Sequence, residues 1–352
     1  DAAGNVVGKW QAGEGKAVVV GSHLDTVPRG GRFDGALGVL AGLAALEALK
    51  TEGFEPRRPL WLVSFNDEEG VRFGTGFLGS RSFVGEPRPD EWRRRGVAAA
   101  MGAAGFDFDR LGEARAIDEV GAYLELHIEQ GPVLEQAGVD VGVVTAIAGL
   151  LALRVRLRGE ANHAGTTPMP LRRDALAGAA RIVVALRDEA RNRDDMTANV
   201  GRIAVEPGGT NVIPGLADFT VDVRSSSAEG FGRAETFARE VIERVAQDEW
   251  LEAEIEELHR LEPVPLDAEL RDVLARAAVA EEASHVPIAS GAGHDAMILA
   301  RHVPAAMLFV PSRGGVSHSP EEYTPPEQCE LGARVLARAL ALLAGGDYPR
   351  LR

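Results

Sequence analysis

Cysteine is nearly missing from this chain: Cys329 is the only one in 352 residues. An internal disulfide is therefore excluded, and a reducing compartment suits the sequence, which gives a cytoplasmic expectation. Positive charge is scarce as well. Lys and Arg number 38 against 53 Asp and Glu, a formal net charge of -15, and that deficit argues against nucleic acid or an anionic membrane as partner. No run of about 18 apolar residues occurs, so no transmembrane helix is expected. Internal repeats and low-complexity stretches do not stand out. The chain opens at Asp1 rather than Met and runs straight into the strand-like Gly4-Asn-Val-Val-Gly-Lys-Trp10. An N-terminal segment is expected to be missing, so the lack of a signal peptide carries little weight.

What is present is apolar material enough for a substantial core, 45% of residues, in a chain long enough for two domains. From 17 to 144 the pattern alternates strand and helix. Val18–Val20 reads as a buried strand; Leu37, Leu40, Leu43 and Leu46 fall at helical spacing in a helix that runs out at Gly53. Leu60–Phe65 and Tyr123–His127 are further strands. The expectation is a mainly parallel sheet with helices on both faces, an α/β fold. Near Gly149 the character changes: Leu153, Val155 and Leu157 alternate with Arg154, Arg156 and Arg158, as in a strand solvated on one face. A helix at about 171–190, strands near 199–205 and 218–224, a helix at about 229–247 and a strand near 251–258 follow. That is the ferredoxin-like α+β order. Pro263 and Pro265 mark its exit. The expected organisation is a discontinuous catalytic domain, 1–148 with 263–352, and an inserted domain, 149–262.

Several apolar runs end in metal-binding side chains, where an open α/β sheet collects ligands. After the first strand come His23, Asp25 and Asp34; after the next, Glu68 and Glu69; then His127, and late in the chain His318. Singly, His127 reads as an ordinary hydrogen-bonded histidine, Glu68-Glu69 as a solvated pair and His318 as a loop residue. His259, His285 and His302 read as structural. Together, His23, Asp34, Glu69, His127 and His318 supply the His and carboxylate donors that divalent ions take, with a shared carboxylate required if two ions sit side by side. Asp25, two residues from His23, is placed to orient its imidazole through the carboxylate. His163 is suited to hydrogen-bond an oxyanion. Arg224 can take a carboxylate in bidentate fashion, or else pair with Asp222. At Gly291–Gly293 the lack of side chains leaves room for substrate.

The segments Gly21-Ser-His-Leu-Asp-Thr-Val-Pro28, Phe65-Asn-Asp-Glu-Glu-Gly70, Glu125-Leu-His-Ile-Glu-Gln-Gly131, Ala161-Asn-His-Ala-Gly-Thr-Thr-Pro-Met-Pro170, Gly208-Gly-Thr-Asn-Val-Ile-Pro-Gly215, Ser290-Gly-Ala-Gly-His-Asp295 and Val316-Ser-His-Ser-Pro-Glu321 resemble, in that order, the signatures of the M20 metallopeptidase-like amidohydrolases. The similarity covers almost the whole chain. It is closest to the branch of N-carbamoyl-L-amino-acid hydrolases and allantoate amidohydrolases. The resemblance implies that His23 and His127 hold one metal, Glu69 and His318 the other, and that Asp34 bridges them. The ions would be Zn, Mn, Co or Ni. It implies Glu68 as general base, and His163, Gln130, Asn211, Arg224 and Gly293 as substrate contacts. It also implies that the inserted domain is a lid and homodimerisation module whose His163 reaches the partner's site. A His at position 127, where peptidase branches place an acidic residue, points to carbamoyl hydrolysis: an N-carbamoyl-L-amino acid would give ammonia, carbon dioxide and the L-amino acid. Allantoate hydrolysis is the near alternative, dipeptidase or aminoacylase chemistry a further one, and a metal-free binding protein the alternative outside enzymes. Family members usually begin with a further helical stretch, which this sequence lacks.

Overall fold

A computed structural model describes residues 1–346. Its strands, in chain order, are β1 (Val6–Trp10), β2 (Ala17–His23), β3 (Leu60–Phe65), β4 (Val120–Ile128), β5 (Val141–Ile147), β6 (Gly149–Arg158), β7 (Asn162–His163), β8 (Thr197–Glu206), β9 (Val212–Ile213), β10 (Leu216–Ser225), β11 (Glu252–Leu261), β12 (Val264–Pro265), β13 (His285–Ser290) and β14 (Ala305–Val310). The chain divides into two compact units, Asp1–Ile147 with Pro265 onward, and Ala148–Val264.

In the larger unit the sheet order is β1-β3-β2-β4-β14-β5-β12, with β13 also paired to β5. β3, β2, β4 and β14 are mutually parallel; β1 joins β3 and β14 joins β5 in antiparallel fashion. Every residue of β2 and β4 is buried. Continuous apolar runs such as Ala17-Val-Val-Val20 form strands of this kind because helices cover both faces. Helices Ala36–Thr51, Ala268–Ala280 and Pro326–Ala344 pack their apolar sides on the sheet in one cluster with Val18, Val20, Leu124 and Leu126. The leucine row of the first helix is not its core face. Leu37 is buried, but Leu40 and Leu43 are 61% and 44% exposed, and Ala41, Ala45 and Leu49 do the packing. Small side chains bring this helix close to the sheet: a Cβ at Gly38 would lie 2.2 Å from the Leu126 carbonyl oxygen.

Because four neighbouring strands run the same way, their carboxyl ends open on one edge. His23 is the last residue of β2, Glu68 and Glu69 follow β3, and His127 lies next to last in β4. His318 follows β14 across a short loop.

The smaller unit is a four-stranded antiparallel sheet of order β11-β6-β10-β8. Helices Ala175–Arg191 and Ala228–Asp248 share one core with Leu153, Val155, Leu157, Phe219, Val221 and Val223. The alternating Arg residues of β6 take the other face. Asp174 and Ser227 start the two helices by accepting hydrogen bonds from backbone N–H groups of their first turns. The short β7 and β9 form a separate two-residue ladder, Asn162 opposite Ile213 and His163 opposite Val212.

Candidate metal centre and substrate contacts

Asp34 organises the edge. Its Oδ1 lies 3.2 Å from His127 Nε2 and 3.8 Å from His23 Nε2, and its Oδ2 lies 3.1 Å from His318 Nε2. Glu69 Oε1 is 3.5 Å from the same His318 nitrogen. Two groups able to hold a metal ion result, His23–Asp34–His127 and Asp34–Glu69–His318, each with ligand atoms within 4.8 Å of one another. They share Asp34, one oxygen facing each group.

The histidine tautomers suit this use. His23 Nδ1 is 2.9 Å from the Asp25 carbonyl oxygen and His127 Nδ1 is 2.9 Å from that of Ile128. An imidazole that donates from Nδ1 presents its Nε2 lone pair as the acceptor; at His127 that lone pair faces the Gly35 N–H at 3.1 Å, which a cation would displace. Asp25 thus orients His23 through its backbone, not its carboxylate, which lies 3.7 Å away. The carboxylate instead accepts the Glu68 and Glu69 backbone N–H groups at 3.2 and 3.1 Å, fixing the turn that carries both glutamates.

Electrostatics point the same way. Burial, followed by the charge of Asp34, pushes Glu69 up to about 7. Glu68 is driven well above the usual carboxylate range by burial, then by Asp295, Glu69 and Glu125. Burial would also raise Asp34, but the hydrogen bonds with His127 and His318 outweigh it and hold that carboxyl low. Glu69 Oε1 is buried and makes no hydrogen bond. A crowd of buried carboxyls with an orphaned oxygen is costly unless cations neutralise it. The donor set of imidazole nitrogens and carboxylate oxygens fits two small divalent ions.

Behind His127 lies a third cluster, Glu125–His127–His294. Its polar atoms are already used. Glu125 accepts from Ser22 Oγ, Tyr123 Oη and the Ala296 N–H at 2.9, 3.1 and 3.0 Å, and His294 Nε2 is 2.9 Å from Ser290 Oγ. The His127 and His294 rings meet edge to face, centroids 4.5 Å apart. This cluster packs behind the His127 ring.

Gln130, expected to touch substrate, is partly committed. Its Nε2 donates to Asp34 Oδ2 at 3.1 Å and to Ser317 Oγ at 3.3 Å, while its Oε1 is buried without a partner. Arg224 grips Asp222 on the same strand through Nε and an Nη at 3.0 Å each, the surface pairing that the sequence left open. At Gly293 a Cβ would lie 3.0 Å from Phe77 Cζ, whereas at Gly291 it would meet nothing within 4 Å. In the small unit His163 is exposed, and its Nδ1 accepts the N–H groups of Gly165 and Thr166 at 2.9 and 3.2 Å. That assigns the proton to Nε2, facing outward. Asn211 lies alongside, its carbonyl accepting the Ala164 N–H at 2.9 Å.

Sequence reasoning missed Glu322, which is 4% exposed. It accepts the Phe33 and Asp34 N–H groups at 3.0 Å each and the Ser317 hydroxyl at 2.8 Å. It missed Glu125 and His294 as well. Glu125 lies two residues from His127, so both point to one face of β4, a signal that was present in the sequence.

The sequence model of Peptidase family M20/M25/M40 matches residues 19–342. The chain belongs to this family. An N-carbamoyl-L-amino acid amidohydrolase of Geobacillus stearothermophilus is 42% identical over 357 residues, covering 99% of this chain and 87% of that one. An allantoate amidohydrolase of Bacillus subtilis is 41% identical over 358 residues, with 98% and 85% covered. Among solved structures, a hydantoinase/carbamoylase family amidase from Burkholderia multivorans superposes with TM-score 0.87 at 36% identity, over 98% of this chain and 85% of that chain. No helix among the described residues is long and apolar enough to cross a membrane.

Proposed function

We propose that this M20 family member hydrolyses a linear ureido C–N bond with two divalent ions, converting an N-carbamoyl-L-amino acid to the L-amino acid, ammonia and carbon dioxide. The observation that carries the reading is Asp34, which divides its oxygens between two His and carboxylate groups. His23 and His127 hold one ion, Glu69 and His318 the other. Zn, Mn, Co or Ni all suit these donors. Bound there, the ions supply Lewis acidity, making water a stronger acid and polarising a carbonyl oxygen. The chain's own side chains do the rest. Glu68 takes the proton of the attacking water and returns it to the departing nitrogen. Gln130 Oε1, the buried acceptor without a partner, receives an N–H of the carbamoyl group. His163 donates from Nε2 to the oxygen that becomes negative in the tetrahedral intermediate.

Arg224, exchanging Asp222 for substrate, takes the α-carboxylate. His163 and Asn211 lie at the separate β7–β9 ladder, which comes just before Leu216, the first residue of β10. Arg224 is eight residues further along β10, about 26 Å at roughly 3.3 Å per residue. A small ureido acid cannot span that length. The two sets of contacts therefore serve two sites, and a homodimer in which each small domain acts as lid to one copy and donates His163 and Asn211 to the other satisfies both. The cytoplasmic location is proposed on the lone cysteine.

Ammonia release from N-carbamoyl amino acids, allantoate and dipeptides, with Mn²⁺ or Zn²⁺ added, tests the reading. N-Carbamoyl amino acids are expected to turn over fastest. The 41% identity to an allantoate amidohydrolase makes allantoate the second reading, and preference for it would replace the first. A purified chain with no stoichiometric metal and no turnover would favour the binding-protein alternative.

A further inference from the structure

Three loops carry Asp34, Gln130 and His318, and none belongs to a regular element. Two of the residues have strained backbones: Gln130 at φ 58° and His318 at φ 54°, a left-handed region unfavourable for side chains with a Cβ. Such geometry persists only where neighbours hold it. The Gln130 N–H is held by Ser312 Oγ; for the His318 loop we propose that the Glu322 carboxylate is the holder, a clamp that fixes the Asp34 loop to the His318 loop and a positioning residue for both ion sites. The proposal rests on the two-ion reading above.

One oxygen of Glu322 accepts both the Phe33 and Asp34 N–H groups, and the other accepts Ser317 Oγ. A single buried group thereby bonds the residue before and the backbone of the bridging carboxylate on one side, and the neighbour of His318 on the other. Its own position is fixed. The Glu322 N–H donates to the Ser319 carbonyl and the Arg313 N–H to that of Tyr323. Thr324 Oγ1 donates to the Pro311 carbonyl, and the Tyr323 ring packs edge-on against Phe33. Gly31 completes the seat. A Cβ there would lie 2.1 Å from Glu322 Oε1 and 2.4 Å from its Cβ, so residue 31 must lack a side chain for the carboxylate to reach the loop. Ligands held from behind in this way typically lose about 10- to 100-fold in metal affinity or activity when the holder is removed.

The experiment compares Glu322→Ala, Glu322→Gln and Gly31→Ala with the wild type. Mn²⁺ stoichiometry and Kd are measured by competition with a fluorescent chelator, alongside kcat and KM for an N-carbamoyl amino acid. Glu322→Ala and Gly31→Ala should each weaken Mn²⁺ binding about 10- to 100-fold and lower kcat with little change in KM. Gly31→Ala keeps Glu322 but displaces it, so it decides the matter if Glu322→Ala proves unfolded. Glu322→Gln keeps an oxygen for the two N–H groups and an amide for Ser317 Oγ, and should retain most of both quantities. Wild-type Kd and kcat in the Gly31→Ala and Glu322→Ala proteins would overturn the clamp while leaving the two-ion site standing. So would a Glu322→Gln protein as impaired as Glu322→Ala, since charge and not position would then be the cause. A wild-type chain that takes up no Mn²⁺ would overturn the two-ion reading and the clamp with it.

Discussion

The two units treat charge in opposite ways. On the open face of the small sheet, cations and anions alternate and pair: Arg154 with Asp218 at 2.6 Å and Arg156 with Glu254 at 2.9 Å. At the strand ends of the large sheet, Asp34, Glu68 and Glu69 gather with His23, His127 and His318 instead, the ion-pair partners of that cluster. Exposed pairs are screened and contribute little; buried like charges oppose folding unless something neutralises them. A protein retains the second arrangement where it has a use. The contrast separates charge that is paired across a sheet face from charge that is gathered and buried at the strand ends.

Breaking the buried cluster should have the largest effect. Glu68→Gln is expected to lower kcat by about 10²- to 10⁴-fold with both metals retained; near-normal turnover with full metal content would remove Glu68 as the base. Next comes His163→Ala, expected to cost about 10²-fold in kcat. Mixing it with an inactive Glu68→Gln protein should restore activity through hybrid dimers, and no recovery would end the shared-site proposal. Arg224→Ala should lower kcat/KM for substrates bearing an α-carboxylate about 10- to 100-fold, the value of a charge-assisted contact of roughly 1.5 to 3 kcal/mol. Equal losses on an uncharged analogue would give Arg224 a structural role only.

Metal removal tests the electrostatic side of the comparison. Glu68 and Glu69 have folded-state proton affinities above the ordinary carboxylate value, so the folded metal-free protein binds more protons than the unfolded chain from about pH 4.5 upward. Asp67, Glu125 and Asp295 are raised as well. These carboxyls outnumber His23 and His294, whose lowered proton affinities act in the opposite sense, so stability falls as pH rises from about 4.5 to 6. Asp34, shifted the other way, has completed its change below this window. Calorimetry with a chelator should show the melting temperature decreasing over that interval, and added Mn²⁺ should abolish the slope. An unchanged slope would mean that no cation enters the cluster. The smallest effect belongs to the ladder: Arg154→Ala should leave turnover unaltered and the melting temperature close to wild type, and a large loss of either would undo the contrast.

Much of the site was legible because parallel strands place ligands at their carboxyl ends, and an apolar run followed by His, Asp or Glu records this in one dimension. His23, Asp34, Glu69, His127 and His318 are of that kind. Glu322 is not. It follows Glu321 in a polar stretch, where a buried clamp and a solvated acid look alike. Asp25 was found for its closeness to His23, yet its carboxylate serves the Glu68-Glu69 turn, contributed by a different strand. The leucine row of the first helix misled for a related reason. Helical spacing marks a face, but Gly38, Ala41 and Ala45 show that close approach to the sheet, not side-chain size, chose which face went in.

The sequence by itself determined the family and the fold class, because these follow from local periodicity and from the order of motifs at strand ends. Only the tertiary structure decided how Asp34 divides its oxygens, which nitrogen each histidine presents, that Arg224 rests on Asp222, and that Glu322 ties two ligand loops together. Most of those are contacts between segments tens to hundreds of residues apart, and all are set by packing and hydrogen-bond geometry that no local pattern encodes.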